Sequence, residues 1–466
     1  MLWSVDDMAK AMDARLQGDM PDCVTGISID SRTIGPGEAY FAILGDVHDG
    51  HKFVAAAHGN GGAVSVVSAD WVDRLEGETG PLMIVDDVLP ALEKLGEAAR
   101  ARSKAKIIAV TGSVGKTTTK EALRTALAPS GTVHASDKSF NNHWGVPLTL
   151  ARMPQQADFG VFEIGMNHPN EISPLVKMVR PHIAMITIVA AVHLGAFDSV
   201  DGIAKAKAEI FDGLEPDGHA LINADDKRFD MQVAFARAKG ISNIVSFGEA
   251  KTADARIEKL VEHGSCSCLT ATVLGHDMVV KIGAPGRHIA QNVMAVLASC
   301  ELAGADLAKA GLAMASLGAV KGRGQQHILQ SPSGPYRLID ESYNANPTSM
   351  RAALALLAAA QVKARGRRIA VMGDMLELGP TSAQMHADLA EDIKKLGIDK
   401  VYLAGPEMKA LHKRFTNSIH ANTIDDLIAP IAQDLREGDV LMAKASFGMN
   451  FAKLIDHLLD IGASES

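Results

Sequence analysis

A chain of 466 residues exceeds one ordinary domain, and 47% hydrophobic residues with only 4% aromatics supply several aliphatic cores rather than one. The net charge of −9 excludes a general nucleic-acid binder, which needs a basic footprint, so an anionic ligand must be held by local groups. No run approaches the roughly 18 apolar residues of a membrane span, and acidic residues in "MLWSVDDMAKAMDA" stand where a signal peptide is basic, so a cytoplasmic protein is expected.

In chain order, residues 1–87 hold the short strand-like runs "GISID", "AYFAIL", "AVSVVS" and "LMIVDD" between Gly- and Asp-rich turns, which predicts a small α/β module. Over residues 88–320 the strands "KIIAVT", "FGVFEIG", "HIAMITIVA" and "HALINAD" alternate with helical patterns, the signature of a parallel sheet. Within this stretch "SCSCLTATVLGHDMVVKIG" reads as a hairpin turning at "GHD". Over residues 321–466, "YRLIDE", "RRIAVMG", "KVYLAG" and "DVLMAKA" alternate with Ala/Leu-rich helices and predict a third, Rossmann-like α/β domain. The glycines and basic residues of "LGAVKGRGQQH" suit a hinge at that boundary. Cys23, Cys266, Cys268 and Cys300 lack metal-ligand spacing and read as reduced structural cysteines.

The chemistry is concentrated in "AVTGSVGKTTTKE", residues 109–121. An apolar strand runs into two glycines and then a helix, the context of a phosphate loop, although the strict pattern GxxxxGK[ST] wants a glycine where this chain has Val110. Gly112 and Gly115 let backbone N–H groups turn toward an anion, the helix N-terminus adds positive partial charge, Lys116 can reach terminal phosphates and Thr117 can ligate Mg²⁺. A Gly-rich strand–helix turn with no ligand is the bland alternative.

The short form Thr-Gly-x-x-Gly-Lys-Thr-Thr, here Thr111, Gly112, Ser113, Val114, Gly115, Lys116, Thr117 and Thr118, resembles the loop of the Mur ligases and the related folylpolyglutamate synthases. These ATP-dependent enzymes join an amine to a carboxylate. Further motifs follow in the same order. Glu163 in "VFEIGMN" and His193 in "AAVHLGAF" stand at strand ends, where α/β sheets place ligands, and the resemblance implies that they hold a second Mg²⁺. Taken singly, they read as a capping Glu and a surface His. "GIAKAKAEIFDGL" resembles the segment whose lysine becomes N6-carboxylated, which implies Lys207, with Lys205 the alternative. Asn292, Arg323 and Asp340 match positions implied to contact adenine, phosphates and nucleotide.

The N-terminal "DSRTIGPGEAYFAILGDVHDGHKF" resembles a UDP-sugar-binding module, with Ser31, Arg32, Gly45, Asp49, Gly50 and His51 in matching positions. "DESYNANPTSM", with Tyr343, Asn344 and Asn346, together with Asn141 and Asn142 of "SFNNHWGVPLTL" and with "GDMLELG" followed by His386, resembles the family branch that adds D-alanyl-D-alanine. This implies ATP, Mg²⁺, a UDP-MurNAc-tripeptide and D-Ala-D-Ala as ligands, Lys116, Lys207 and His193 as catalytic groups, and a monomer. Two segments depart from the family pattern. "TIVAAV" replaces the usual Thr-Asn-Ile-Gly before the histidine, and Lys444, Ala445, Ser446 and Phe447 replace Lys-Gly-Ser-Arg. Lys444 and Ser446 are carried over as substrate contacts. The rival readings are another Mur ligase, a folylpolyglutamate-type ligase and a non-catalytic nucleotide-binding partner.

Overall fold

The computed structural model describes residues 1–463 except 46, 47, 138, 193, 194, 264, 265, 319, 320 and 364. The near-continuous apolar runs of the middle segment form a nine-stranded sheet among the described residues. From edge to edge its strands are Val133–Ala135, Phe159–Glu163, Lys106–Thr111, Ile183–Ile186, His219–Asn223, Ile244–Gly248, Ala255–Glu262, Ser267–Val273 and His276–Ile282. All neighbours are parallel except the last two pairs. The hairpin expected at "GHD" turns one residue earlier, at Leu274 and Gly275, which adopt φ +49° and +90°. Paired positive φ values define the tight turn whose twist matches that of the strands, and glycine adopts them without steric cost.

Alternation along each strand feeds two cores. Ile108, Val110, Val161 and Met185 pack with Leu123 and Leu127 of the helix Lys116–Leu127 and with Val293 and Leu297 of the helix Arg287–Leu302. Ile107, Ala109, Phe162 and Ile186 face the other way, against Ile172, Val176 and Ile203. Each fully buried Ile or Leu contributes about 1.5–3 kcal/mol, so the sheet is clamped from both sides. Its carboxyl ends are left as the open edge where a ligand can sit.

At the N-terminal side, Gly26–Ser28, Glu38–Phe41, Val64–Ser68 and Leu82–Val85 are parallel neighbours, with Arg15–Gln17 antiparallel at one edge. All four expected strands are present. The helix Val88–Arg102, capped by Asp87 through Leu89 N at 3.1 Å, buries Leu92, Leu95 and Ala99 in this core. The same core takes Leu148 and Ala151 from the helix Gly145–Ala151. Val88–Arg102 is therefore the wall shared by the first two sheets.

The C-terminal sheet runs Gln325–Ser331, Gly334–Asp340, Val440–Lys444, Arg368–Gly373, Lys400–Ala404 and Ser418–Ala421, parallel beyond the first hairpin. The helix Pro347–Ala359 starts where "NPTS" dictates. Asn346 and Ser349 form a reciprocal capping box, and Pro347 occupies the first turn, where its missing N–H costs nothing.

Candidate active site

The strand Lys106–Thr111 delivers the loop to the carboxyl edge of the central sheet. Gly115, at φ +86°, caps the helix Lys116–Leu127, and Gly112 sits at φ +154° with no room for a side chain: an added Cβ would meet Thr187 Oγ1 at 1.9 Å. Three threonines at the start of this helix are poor formers, so the loop rather than propensity sets its start, and Pro129 follows its end. The loop is tied at both shoulders. Thr187 Oγ1 donates to Val114 O at 2.6 Å, and Ser113 Oγ donates to Ala190 O at 3.0 Å. Asn223 Nδ2 in turn holds Thr187 O at 2.8 Å.

Inside this frame Lys116 Nζ folds back onto Gly112 O at 2.7 Å. Desolvation in the cleft lowers its pKa, Glu163 opposes that and Arg323 adds to it, although the side chain still reaches the open mouth. Thr117 Oγ1 donates to Glu163 Oε2 at 2.9 Å, and Asn141 Nδ2 donates to Glu163 Oε1 at 2.7 Å. Lys207, on the helix Val200–Ala208, is 1% exposed and has no hydrogen bond or ion pair among the described residues. Burial, and then the charge of Lys116, push its pKa well below the ordinary lysine value. A buried amine with a lowered pKa and no counter-ion among the described residues is suited to carry a carboxylate on nitrogen, and a hydroxyl beside a carboxylate suits a hard divalent cation. The donor set at Thr117, Glu163 and Lys207 therefore fits the expected metal. His193 lies outside the described residues.

A cleft of about 390 Å³ opens over these groups, between the central and C-terminal sheets. Residues 113–118, Asn141, Glu163, Asn292, Arg323, Tyr343, Asn344, Asn346 and Lys444 all line it. Asn292 lies close enough to Gly115 that a Cβ there would meet its amide at 2.7 Å. Arg323 stacks on the Tyr343 ring at 4.1 Å, and Tyr343 Oη donates to Ser139 Oγ at 2.7 Å across the cleft. Lys444 Nζ donates to Asn344 O at 2.9 Å and pairs with Glu341 at 3.1 Å. Gly195 N donates to Glu377 O at 3.2 Å, a second hydrogen bond between the central and C-terminal units.

Other expected residues also carry structural hydrogen bonds. Both oxygens of Asp340 accept backbone N–H groups, from Gly322 and Ser342, each at 3.0 Å, which fixes the turn carrying Arg323. Asn142 caps Gly145 N at 2.9 Å, Ser446 Oγ accepts from Leu376 N at 2.9 Å, and buried His386 accepts from Met375 N at 2.9 Å. Ser31, Arg32, Gly45, Asp49 and His51 lie on the N-terminal unit and do not line this cleft. There His51 is an anchor: Asp49 accepts from its Nδ1 at 2.7 Å, Ser68 N donates to its Nε2 at 3.0 Å, and it stacks on Trp71. Arg32 is exposed and paired with Asp30.

Sequence reasoning missed Thr187, Asn223, Ser139 and Glu341. A polar residue closing an apolar run, as Thr187 closes "HIAMIT", was the available signal for the first.

A parallel sheet with a short phosphate loop and acid, lysine and inter-unit contacts at its carboxyl edge defines an ATP-dependent ligase of the Mur type. The Mur ligase middle domain matches residues 110–300, the Mur ligase glutamate ligase domain residues 323–447, and the Mur ligase family catalytic domain residues 23–100. The chain belongs to the Mur ligase family. The UDP-N-acetylmuramoyl-tripeptide–D-alanyl-D-alanine ligase of Rickettsia prowazekii (strain Madrid E) is 32% identical to it over 460 residues, 98% of this chain and 100% of the relative. Among solved structures, MurF from Acinetobacter baumannii matches with TM-score 0.85 at 29% identity, over 99% of each chain. MurF ligase from Thermotoga maritima in complex with ADP shares the fold, with TM-score 0.77 at 23% identity over 95% of this chain and 98% of that one.

Proposed function

We propose that this chain joins D-alanyl-D-alanine to UDP-N-acetylmuramoyl-tripeptide with hydrolysis of ATP to ADP and phosphate. The observation that carries the reading is that Lys116 and the Thr117–Glu163 pair meet at one loop, with the buried amine of Lys207 near enough to Lys116 for its charge to act on it. The tripeptide carboxylate attacks the γ-phosphorus of ATP, ADP leaves, and an acyl phosphate forms. The dipeptide amine, once deprotonated, attacks the acyl carbon. The tetrahedral adduct then collapses to amide and inorganic phosphate, which leaves with one former carboxylate oxygen.

The loop N–H groups and Lys116 hold the β- and γ-phosphates and offset charge as the phosphoryl group transfers. Mg²⁺ bound by Thr117, Glu163 and carboxylated Lys207, with His193 at a second position, would supply Lewis-acid screening between the two anions. Arg323, held against Tyr343, reaches toward the phosphates from the C-terminal unit, and Asn292 faces the base. Tyr343 meeting Ser139 across the cleft supports a closure of the two units that shields the acyl phosphate from water. Ser31, Arg32, Gly45, Asp49 and His51 serve the UDP moiety; Asn141, Asn142, Tyr343, Asn344, Asn346, Lys444 and Ser446 serve the peptide partners. The domains divide at residues 87 and 320, and the protein acts as a cytoplasmic monomer.

Phosphate release from ATP should require both the UDP-tripeptide and D-Ala-D-Ala for steady turnover. Release that instead depends on a folate and glutamate would favour the folylpolyglutamate-type reading, and no release with either pair would favour a non-catalytic nucleotide-binding protein.

A further inference from the structure

The buried ammonium of Lys120 has no part in the chemistry above. It lies one turn beyond Lys116 on the inward face of the same helix and is 0% exposed. Its Nζ donates to Ser136 O at 2.7 Å and meets Glu121 Oε1 at 2.8 Å. Taking an ammonium out of water costs several kcal/mol unless such bonds replace its hydration, so these contacts are what make the burial tolerable.

Ser136 opens the segment that leaves the edge strand and leads to the helix Gly145–Ala151. Its Oγ accepts from Glu163 N at 3.3 Å. Further along, Ser139 meets Tyr343 across the cleft, Asn141 holds Glu163 Oε1, and Asn141 O accepts from Gly165 N at 2.8 Å. Three contacts around the cleft thus hang on Ser139 and Asn141, and the ammonium holds Ser136, which precedes them, to the phosphate-loop helix. Arg124 reaches the same carbonyl at 3.4 Å from a half-exposed side chain, a weaker hold.

We propose that Lys120 is a positioning residue for the acceptor side of the reaction: its bond to Ser136 O helps place Ser139 and Asn141 relative to the phosphate loop. The inference rests on the ligase reading above. The phosphate loop has its own ties to Thr187 and Ala190, so its placement is set apart from the bond between Lys120 and Ser136.

Lys120→Met keeps the apolar stem and deletes the donor. With the full-length protein, kcat/KM for UDP-MurNAc-tripeptide should fall about 10- to 100-fold, the range for losing a hydrogen bond to a charged group, while KM for ATP stays within about twofold. Hydrogen exchange of the peptide covering 136–142 should accelerate, and Lys120→Arg, which keeps a cationic donor, should recover most of the acceptor-side loss. If the Met variant does not fold, Lys120→Gln is read on the same split. A proportional loss in ATP and acceptor parameters, or unchanged kinetics with only a lower melting temperature, would overturn the positioning role. A wild-type protein without dipeptide-dependent phosphate release would contradict the ligase reading instead, and the exchange difference would still decide on Lys120.

Discussion

Thr117 Oγ1 and Glu163 Oε2 stand 2.9 Å apart although 46 residues separate them, one on the first turn of the phosphate-loop helix and the other closing the neighbouring strand. Parallel pairing of Phe159–Glu163 with Lys106–Thr111, Glu163 beside Val110, creates that meeting. Val110, where the strict phosphate-loop pattern expects glycine, is fully buried in the core below the loop. The shorter loop therefore turns at Gly112 and Gly115 directly above the strand ends.

Replacing Lys116 with alanine removes the amine that sits on the loop carbonyl of Gly112. ADP formation should be abolished while binding of the UDP substrate, read by calorimetry, changes little. Turnover like that of the wild type in this variant would reject the phosphate-loop assignment.

Gly112→Ala should cost about 1–3 kcal/mol of stability and most of the ATP affinity, because the new methyl group collides with Thr187 Oγ1 and the loop must shift. Thermal melting and nucleotide titration read the two effects separately. Near-normal ATP binding would mean that the loop geometry is not what selects glycine.

Lys207 gives a pH-dependent prediction whose sign follows from burial. Its folded-state pKa lies well below 10.5, so between that depressed value and 10.5 the unfolded chain binds more protons than the native one, and stability rises with pH. Without bicarbonate, Lys207→Met should melt higher than the wild type near neutral pH, with a gain that shrinks as pH approaches 10.5. A pH-independent difference would contradict the lowered pKa of the buried amine. In activity assays Lys207→Ala should lose most turnover, high bicarbonate should not repair it, and a short-chain carboxylic acid should restore part.

Tyr343→Phe deletes the hydroxyl that meets Ser139 across the cleft and leaves the ring under Arg323. The lost bond corresponds to about 0.5–1.5 kcal/mol, or roughly two- to twelvefold in kcat/KM, with the melting temperature little changed. A purely thermal effect would place the contact in folding rather than in closure.

The strands that position this site were legible because they are uninterrupted apolar runs ending in polar or glycine residues, as "KIIAVTG" and "FGVFEIG" do. Strands with mixed patterns were not. Ala255–Glu262 reads "ARIEKLVE", is exposed at several positions, and is held mainly by its neighbour Ser267–Val273. Among the described site residues, Lys116, Thr117 and Glu163 were visible from local sequence plus order. Asp340 is a different case: its position in the motif was visible, but only tertiary structure shows both its oxygens spent on Gly322 and Ser342. Tyr343–Ser139 and Lys120–Ser136 join segments whose pairing no periodicity encodes.

The central claim is the acyl phosphate, and oxygen isotope transfer tests it most directly. With both oxygens of the tripeptide's terminal carboxylate labelled with ¹⁸O, turnover with ATP, Mg²⁺ and D-Ala-D-Ala should place one labelled oxygen in inorganic phosphate and keep the other in the new amide. Product amide formed with unlabelled phosphate would contradict the account.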